Sequence, residues 1–554
     1  MCGIWTFINL IKNKQINYTK LYNDFMKIKH RGPDLSNYQL INNDIIIGFH
    51  RLAIMDPTFT SNQPYILEDN DRTIIFLCNG EIYNFKELIK NHELDITNNS
   101  DCLVIPKLYI KYTDSNIDKF INLFVHNKDS IKGEFAFILL EFDKLQNLKH
   151  VIIGRDEIGI RPLYYNTINN NTSELILSSE IKAMSSCNDN ISEFPPGTIM
   201  KIDINNICGI KENTFYNFKT VYDTTSYNLF NNEEVYLENI RTSVINSIQR
   251  RLVSDKPIGF LLSGGVDSSL IAAISSKLLN IPIKTFCCGM SKGTDFKYAK
   301  MVADHIKSNH TQVIFTKEEG LNAIKDVIYT TETWDTTTIR ASVGQYLVCK
   351  HIGQNTDCRV ILVGEGPDEV CSSYLFNYNA PSSDDLHNTA IEYVENIHIY
   401  DGRRADRCIS KWGLEGRVAF LDPEFIEAYW SIPAEWRHPK YKDIEKWWLR
   451  KAFEKYDILP PEVLWRKKEA FSDGVSDKEE SWYEIIQNHI QNLELEYDKS
   501  MGPTLEAFYY KKIFIDHFGE NRLNILSKYW QPKWTINSTD DYVDPSARTL
   551  NIYN

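Results

Sequence analysis

The stretch 258–279, IGFLLSGGVDSSLIAAISSKLL, constrains the fold more than any other part of the chain. Apolar residues 258–262 read as a buried strand. Two adjacent glycines follow, and then SLIAAISSKLL (269–279) has apolar residues at helical spacing. A strand that turns tightly into a helix opens a β–α unit. The runs IKTFCC (283–288) and RVILVG (359–364) supply further strands among helical patterns. Strands alternating with helices imply a doubly wound parallel sheet covered on both faces. At the turn, Gly264 and Gly265 let backbone N–H groups approach an anion, and the helix N-terminus adds partial positive charge. Ser263, Ser268 and Ser269 offer hydroxyls. Taken alone, Ser-Gly-Gly is as much a helix-capping turn as an anion cradle; the whole string favours the cradle. No GxxxxGK[ST] is present, so this is not a Walker A loop. Asp267 would repel a phosphate unless a cation stood between them, which argues for Mg²⁺.

A chain of 554 residues exceeds one hydrophobic core. Up to about residue 200 it is strand-rich, with DIIIGFHRLAIMD (44–56), TIIFLCNGEIYN (73–84), EFAFILLEFD (134–143) and HVIIGRD (150–156) broken by Asn, Asp and Gly. Around 185–213 the periodicity fails at a Pro-Pro-Gly, which places a junction there. From 233 helices alternate with strands, and beyond about 400 the chain is mostly helical. The expected domains are therefore 2–185, a linker at 186–232, a second domain at 233–536 and a polar tail at 537–554. The formal net charge of −13 argues against nucleic acid as a partner. No apolar run is long enough to span a bilayer, so no membrane is expected. The cysteines are odd in number and scattered, without Cys-x-x-Cys, which indicates free thiols in a reducing, cytoplasmic setting.

The chain opens MCGIW. If Met1 is removed, Cys2 gains a free α-amine beside its thiol. An amine titrating near neutrality can take the thiol proton, and the thiolate is the nucleophile. A cysteine near a chain end is usually unremarkable, so the surrounding strings matter. HRGPD (30–34), HRLAIMD (50–56), CNGEIYN (78–84), SDCLVI (100–105) and GRDEIGIRPLYY (154–165) together resemble the class II N-terminal-nucleophile glutamine amidotransferases. The resemblance implies a four-layer α/β/β/α sandwich that hydrolyses glutamine to glutamate and ammonia. It implies that Arg51, with Leu52, Ala53, Ile54 and Met55, lines the glutamine site, and that Arg51 holds the α-carboxylate. Glu81 and Asp101 would hold the α-ammonium. Asn79 and Gly80 would form an oxyanion hole, although Asn-Gly by itself is a hairpin-turn signal.

The string SGGVDSS resembles the PP-loop of the ATP pyrophosphatases, which split ATP between the α and β phosphates. A glutaminase followed by such a domain resembles the glutamine-hydrolysing asparagine synthetase family. ETWDTTTIRAS (332–342), EGPDEV (365–370), YDGRRADR (400–407), GLEGRVAFLD (413–422), EKWWLRKAF (445–453), RKKEAFSDGVS (466–476) and DPSARTL (544–550) extend that likeness over almost the full length. The resemblance implies adenylation of aspartate by ATP with Mg²⁺, then amidation by ammonia delivered through an apolar internal passage. Leu261, Cys288, Val363 and Gly364 would join Ser263, Gly264, Gly265, Asp267 and Ser268 around ATP, and Asp267 and Asp368 would hold the metal. Glu365 and Lys468 would be catalytic, and Thr337, Arg340 and Asp401 would face aspartate and pyrophosphate. Small molecules are the expected partners, and a homodimer is compatible with the sequence. The chain departs from the family at Val363, where serine is usual, at Pro367, and at CSSY (371–374), which replaces Phe-Gly-Gly-Tyr. Two alternatives stay open: an amidotransferase of the same build acting on another carboxylate, and a non-catalytic binding protein descended from a synthetase.

Overall fold

The computed structural model describes residues 1–11, 15–113, 117–166, 173–187, 190–204, 210–220, 232–469, 474–476, 480–526 and 529–534. The chain forms two compact units, residues 1–221 with 518–525, and residues 222–517 with 526–554.

The first unit contains β1 (Gly3–Asn9), β2 (Leu35–Asn42), β3 (Ile45–Arg51), β4 (Tyr65–Asp69), β5 (Arg72–Ile82), β6 (Gly133–Asp143), β7 (Leu148–Arg155), β8 (Tyr164–Asn166), β9 (Glu174–Ser178), β10 (Ile191–Glu193), β11 (Thr198–Ile204) and β12 (Ile210–Asn217). They form two antiparallel sheets, in the orders β10-β8-β9-β1-β3-β2 and β12-β11-β7-β6-β5-β4. Alternation along β5 shows why the sheets stack. Ile75 and Leu77 join Ile4, Ile47 and Phe49 in a core between the two sheets. Ile74, Phe76 and Cys78 point the other way, into a core shared with α2 (Phe85–Asn91), α3 (Val104–Thr113) and α4 (Ile117–Ile121). On the outer face of the first sheet, Phe25 of α1 (Tyr18–Met26) stacks on His50, with ring centroids 3.9 Å apart. The layers therefore run α/β/β/α.

The expected linker at 186–232 is too wide. Residues 191–193 pair with β8, β11 pairs with both β12 and β7, and these strands complete the two sheets. Pro195-Pro196-Gly197 marks a crossing from one sheet to the other, and three-residue β10 is too short to show periodicity. Late residues also belong here: Arg522 donates to the carbonyl of Cys187 (2.6 Å) and Asn524 to that of Ile191 (2.7 Å). The polar tail at 537–554, with DPSARTL, lies outside the described residues.

The second unit is built on a parallel sheet of β13 (Ile258–Leu261), β14 (Lys284–Gly289), β15 (Asn309–Ile314), β16 (Val360–Val363) and β17 (Glu415–Val418), in the order β15-β14-β13-β16-β17. Around it lie α5 (Glu233–Arg251), α6 (Val266–Leu279), α7 (Asp295–His305), α8 (Lys317–Thr331), α9 (Thr336–Asn355), α10 (Pro367–Val370) and further helices toward the C-terminus. The chain builds outward from β13 in both directions. The boundary between β13 and β16 is thus a topological switch point, where open α/β sheets place their ligands at the carboxyl ends of the strands. The loops 262–265 and 364–366 leave β13 and β16 there.

Two candidate active sites

In the first unit, Gly3 begins β1 opposite His50, so Cys2 stands at the lip of the sheet beside the end of β3. Its sulfur lies 3.8 Å from the carbonyl of Leu52. Arg31 fixes its backbone: Nε donates to the Cys2 carbonyl (3.0 Å), and Nη1 donates to the buried Glu180 (2.7 Å). Arg51 is also buried. Its Nη1 donates to Thr58 O (2.8 Å) and to Asn62, and its Nη2 to Asp56 O (2.5 Å). The guanidinium therefore shapes the 55–62 loop, an arrangement its expected role as a carboxylate fork does not account for. The next residue, Gln63, clamps Cys78 by donating to its carbonyl (3.2 Å) and accepting from its N–H (2.6 Å). These contacts join the surroundings of Cys2 to Asn79 through Leu52, Arg51, Asn62 and Gln63.

Asn79 and Gly80 do not form a hairpin turn. They lie inside β5, opposite Ala136 and Phe135. A Cβ on Gly80 would sit 2.3 Å from the carbonyl of Glu134, so only glycine allows the strands to approach this closely. The Asn79 side chain is fully buried, and neither its Oδ1 nor its Nδ2 has a hydrogen-bond partner among the described residues. Such a group is uncommon and costly unless a ligand completes it. Asp101 accepts from the N–H of Ile82 (2.7 Å) and Glu81 is buried nearby in β5, so the two acids border the same end of the strand. Ala53 N–H donates to Asp34 (2.8 Å), which fixes the turn of Leu52, Ala53, Ile54 and Met55. Arg31, Asn62 and Gln63 were missed by sequence reasoning. Arg31 lay in a quoted string, HRGPD, but nothing local marks the other two.

In the second unit one cavity opens at the switch point. Of the expected ATP and catalytic residues, Leu261, Ser263, Gly265, Asp267, Ser268, Cys288, Val363, Gly364, Glu365, Asp368, Asp401 and Lys468 line it. Gly264, at φ 76°, turns away against α7, and Thr337 and Arg340 stand outside the lining. Arg340 corrects the sequence expectation. Its Nε and Nη2 donate to the two carboxylate oxygens of Glu506 (2.9 and 2.6 Å) in a buried fork-to-fork pair. Arg404, from the helix Asp401–Ser410, presents a guanidinium to the cavity instead, 3.5 Å from Glu365 and 3.4 Å from Asp401. Gln345 of α9 donates to Glu365 (3.0 Å).

The acids of this cavity are pulled apart electrostatically. Burial raises Asp368, but Lys446 and Lys468 outweigh it and hold the carboxyl well below the usual range. Lys446 Nζ lies 2.5 Å from both Asp267 Oδ2 and Asp368 Oδ1, and Lys468 pairs with Asp368 Oδ2. Asp267 Oδ1 is buried with no partner among the described residues. Loss of solvent raises Glu365, with Arg404 opposing. Glu369, buried and near Asp401 and Asp368, is pushed up to about 8, while a hydrogen bond from Tyr374 (2.5 Å) pulls the other way. Lys446 has no local sequence signal: it sits in the quoted EKWWLRKAF string, where a lysine reads as surface. Its φ of 59° turns the chain so that the ammonium points inward.

The departures from the family pattern resolve individually. Pro367 is the first residue of α10, where its missing N–H is not needed. Val363 lines the cavity with an apolar side chain. Ser372 takes φ 51°, and its buried hydroxyl has no partner among the described residues. Ser373 is unstrained and donates its hydroxyl to Asp368 (2.5 Å).

A sandwich that begins at a cysteine and a parallel sheet with an anion loop facing paired acids and lysines define a glutamine amidotransferase joined to an ATP-dependent ligase. Residues 1–236 match the glutamine amidotransferase domain, and residues 239–391 and 378–543 match asparagine synthase. The glutamine-hydrolysing asparagine synthetase of Homo sapiens is 36% identical over 585 residues, and that of Mus musculus 37% over 586; each alignment covers 100% of this chain and 99% of the relative. That of Gallus gallus is 37% identical over 591 residues at the same coverage. The chain belongs to the glutamine-hydrolysing asparagine synthetase family. Among the described residues, no helix is long and apolar enough to cross a membrane.

Proposed function

We propose that the chain makes asparagine from aspartate, ATP and glutamine, with Cys2 releasing ammonia in the first unit and the switch-point cavity consuming it in the second. The observation that carries this is the convergence of the phosphate loop, Glu365, Asp368, Asp401 and Lys468 on one cavity, in a chain whose first unit also holds the buried Asn79 amide without a partner among the described residues. In the first site the Cys2 thiolate attacks the glutamine amide carbon. Once Met1 is gone, the α-amine takes the thiol proton and returns it to the leaving nitrogen. Asn79 Nδ2 and the Gly80 N–H donate to the oxyanion. Glutamate leaves after water cleaves the thioester. Arg51, Glu81 and Asp101 orient the amino-acid end of glutamine.

In the second site the β-carboxylate of aspartate attacks the α-phosphorus of ATP. The bond to the bridging oxygen breaks and pyrophosphate leaves. Lys468 offsets charge on the transferring group, and Ser263, Gly265 and Ser268 cradle phosphate oxygens. Leu261 and Cys288 flank the nucleoside. Ammonia, arriving as NH₃, attacks the acyl carbon; AMP leaves, and Glu365, made more basic by burial, takes the proton. The donor set fits Mg²⁺: two carboxylates plus substrate phosphates match its preferred ligands, and Asp267 Oδ1 is an uncommitted buried acceptor. Asp267 and Asp368 would hold the ion, which would neutralise charge on the phosphates. Asp401 would face aspartate, and Arg404 takes the part first given to Arg340.

Replacing Cys2 separates the two sites. Cys2→Ala is expected to abolish glutamine-driven synthesis and leave ammonia-driven synthesis intact, read as asparagine formed with each nitrogen source. Loss of both activities, or pyrophosphate release that ignores aspartate, would overturn the reading.

A further inference from the structure

Lys468 has no regular element beneath it; residues 466–469 form neither helix nor strand. Struts on both sides hold it. Two residues before it, Arg466 donates to Asp295 Oδ1 (2.9 Å) and to Glu469 (2.7 Å), and its guanidinium lies 4.0 Å from the centre of the Tyr298 ring. One residue after it, Glu469 accepts from the hydroxyl of Thr294 (2.9 Å). Thr294 caps α7, and Asp295 and Tyr298 lie in its first turn. The same turn meets the phosphate loop from the other direction. A Cβ on Gly264 would fall 2.5 Å from Ala299 N and from Tyr298 C. The start of α7 is therefore a common base, with the phosphate loop packed on one side and the Lys468 segment tied to the other.

We propose that Asp295 is a positioning residue for adenylation: through Arg466, with Thr294 bracing Glu469, it sets where the Lys468 ammonium stands relative to the phosphate loop. This rests on the role given to Lys468 above. Asp295 is buried and faces Arg466 and Glu469 from the 466–469 segment and the thiols of Cys287 and Cys288 from β14. Burial pushes its carboxyl up to about 7, and Arg466 opposes that rise. Its charge, and with it the full pull on Arg466, is gained as pH rises through neutrality.

The test uses the full chain with saturating ammonia, reading aspartate-dependent pyrophosphate release. Asp295→Asn keeps the size and removes the charge. A misplacement on the order of 1 Å at a reacting group costs up to about 100-fold in rate. The expected result is a kcat lower by about 10- to 100-fold, with KM for ATP within about threefold. The rise in kcat between about pH 6 and 8 should vanish in the variant. Asp295→Asn placed on Lys468→Ala should be no slower than Lys468→Ala alone, and glutamine hydrolysis should be unchanged. Thr294→Val cuts the second strut without a buried charge change, and should lower kcat with the same dependence on Lys468. Wild-type kcat in both Asp295→Asn and Thr294→Val, or losses that multiply with Lys468→Ala, would overturn the proposal. Wild-type turnover in Lys468→Ala would overturn the Lys468 reading itself, and this proposal with it.

Discussion

Truncating Asn79 should move activity and stability in opposite directions. The side chain is fully buried, and both ends of its amide lack partners among the described residues. Removing a buried, unsatisfied polar group recovers about 1–3 kcal/mol of desolvation cost. Against that stands the space left by the amide, roughly 40 Å³, which at about 24 cal/mol per Å³ costs about 1 kcal/mol. Asn79→Ala is therefore expected to leave the stability of the first unit unchanged or raise it by up to about 2 kcal/mol. Loss of one oxyanion donor lowers kcat by about 100- to 1,000-fold. The assay pairs glutamate release at saturating glutamine with thermal unfolding of the same preparation. Ammonia-driven asparagine formation serves as the internal control and should not change. An asparagine kept for structure would behave in reverse. If Asn79→Ala unfolds more easily by over about 1 kcal/mol while glutamate release stays within about fivefold, the oxyanion assignment is wrong.

Ser372 should tolerate glycine better than serine. Its φ of 51° is strained for an L-residue by about 1–2 kcal/mol, and glycine's extra chain entropy returns about 0.5–1 kcal/mol. Ser372→Gly is expected to stabilise the second unit by about 1 kcal/mol, seen as a rise in Tm of about 2–4 °C; a fall in Tm would contradict the strain. His50 makes the first unit acid-sensitive. Burial lowers its pKa to about 4, although the Phe25 carbonyl, 3.0 Å from Nε2, favours the proton. The unfolded chain binds that proton near pH 6.5, so stability is intact above that value and is lost as pH falls toward 4, by up to about 3 kcal/mol. Unfolding followed from pH 7 to 4.5 should show this slope, and His50→Gln should flatten it.

What the sequence disclosed was whatever local pattern controls. The strand–turn–helix at 258–279 appears where its spacing put it, with Gly264 taking the φ of 76° that the tight turn needs. The phosphate loop and the 363–368 segment meet because both follow adjacent parallel strands; alternation of strand and helix implied the parallel sheet but not which strands adjoin. Long-range pairing was hidden. Nothing near Arg340 signals Glu506, which lies in the helix Leu505–Phe518, and nothing near Lys446 signals Asp267. Nothing in the run YDGRRADR signals its partners either: Arg403, Arg404, Asp406 and Arg407 are all buried, and Arg407 pairs with Glu332, far off in the chain. The 186–217 stretch misled for another reason: a proline-broken crossing between sheets and a three-residue strand leave too little periodicity to detect.

The return of residues 518–525 to the first unit has a consequence during synthesis of the chain. Arg522 and Asn524 supply side-chain bonds to the carbonyls of Cys187 and Ile191. Cys187 follows the turn whose Ala183 carbonyl accepts the indole N–H of Trp5 (2.8 Å), three residues from Cys2. Those donors leave the ribosome about three hundred residues after the rest of the unit. At about 5–20 residues per second the delay is roughly 15–60 seconds. For that interval a nascent chain carries Cys2 on an unfinished support, and the support is completed only when nearly all of the second unit has been translated.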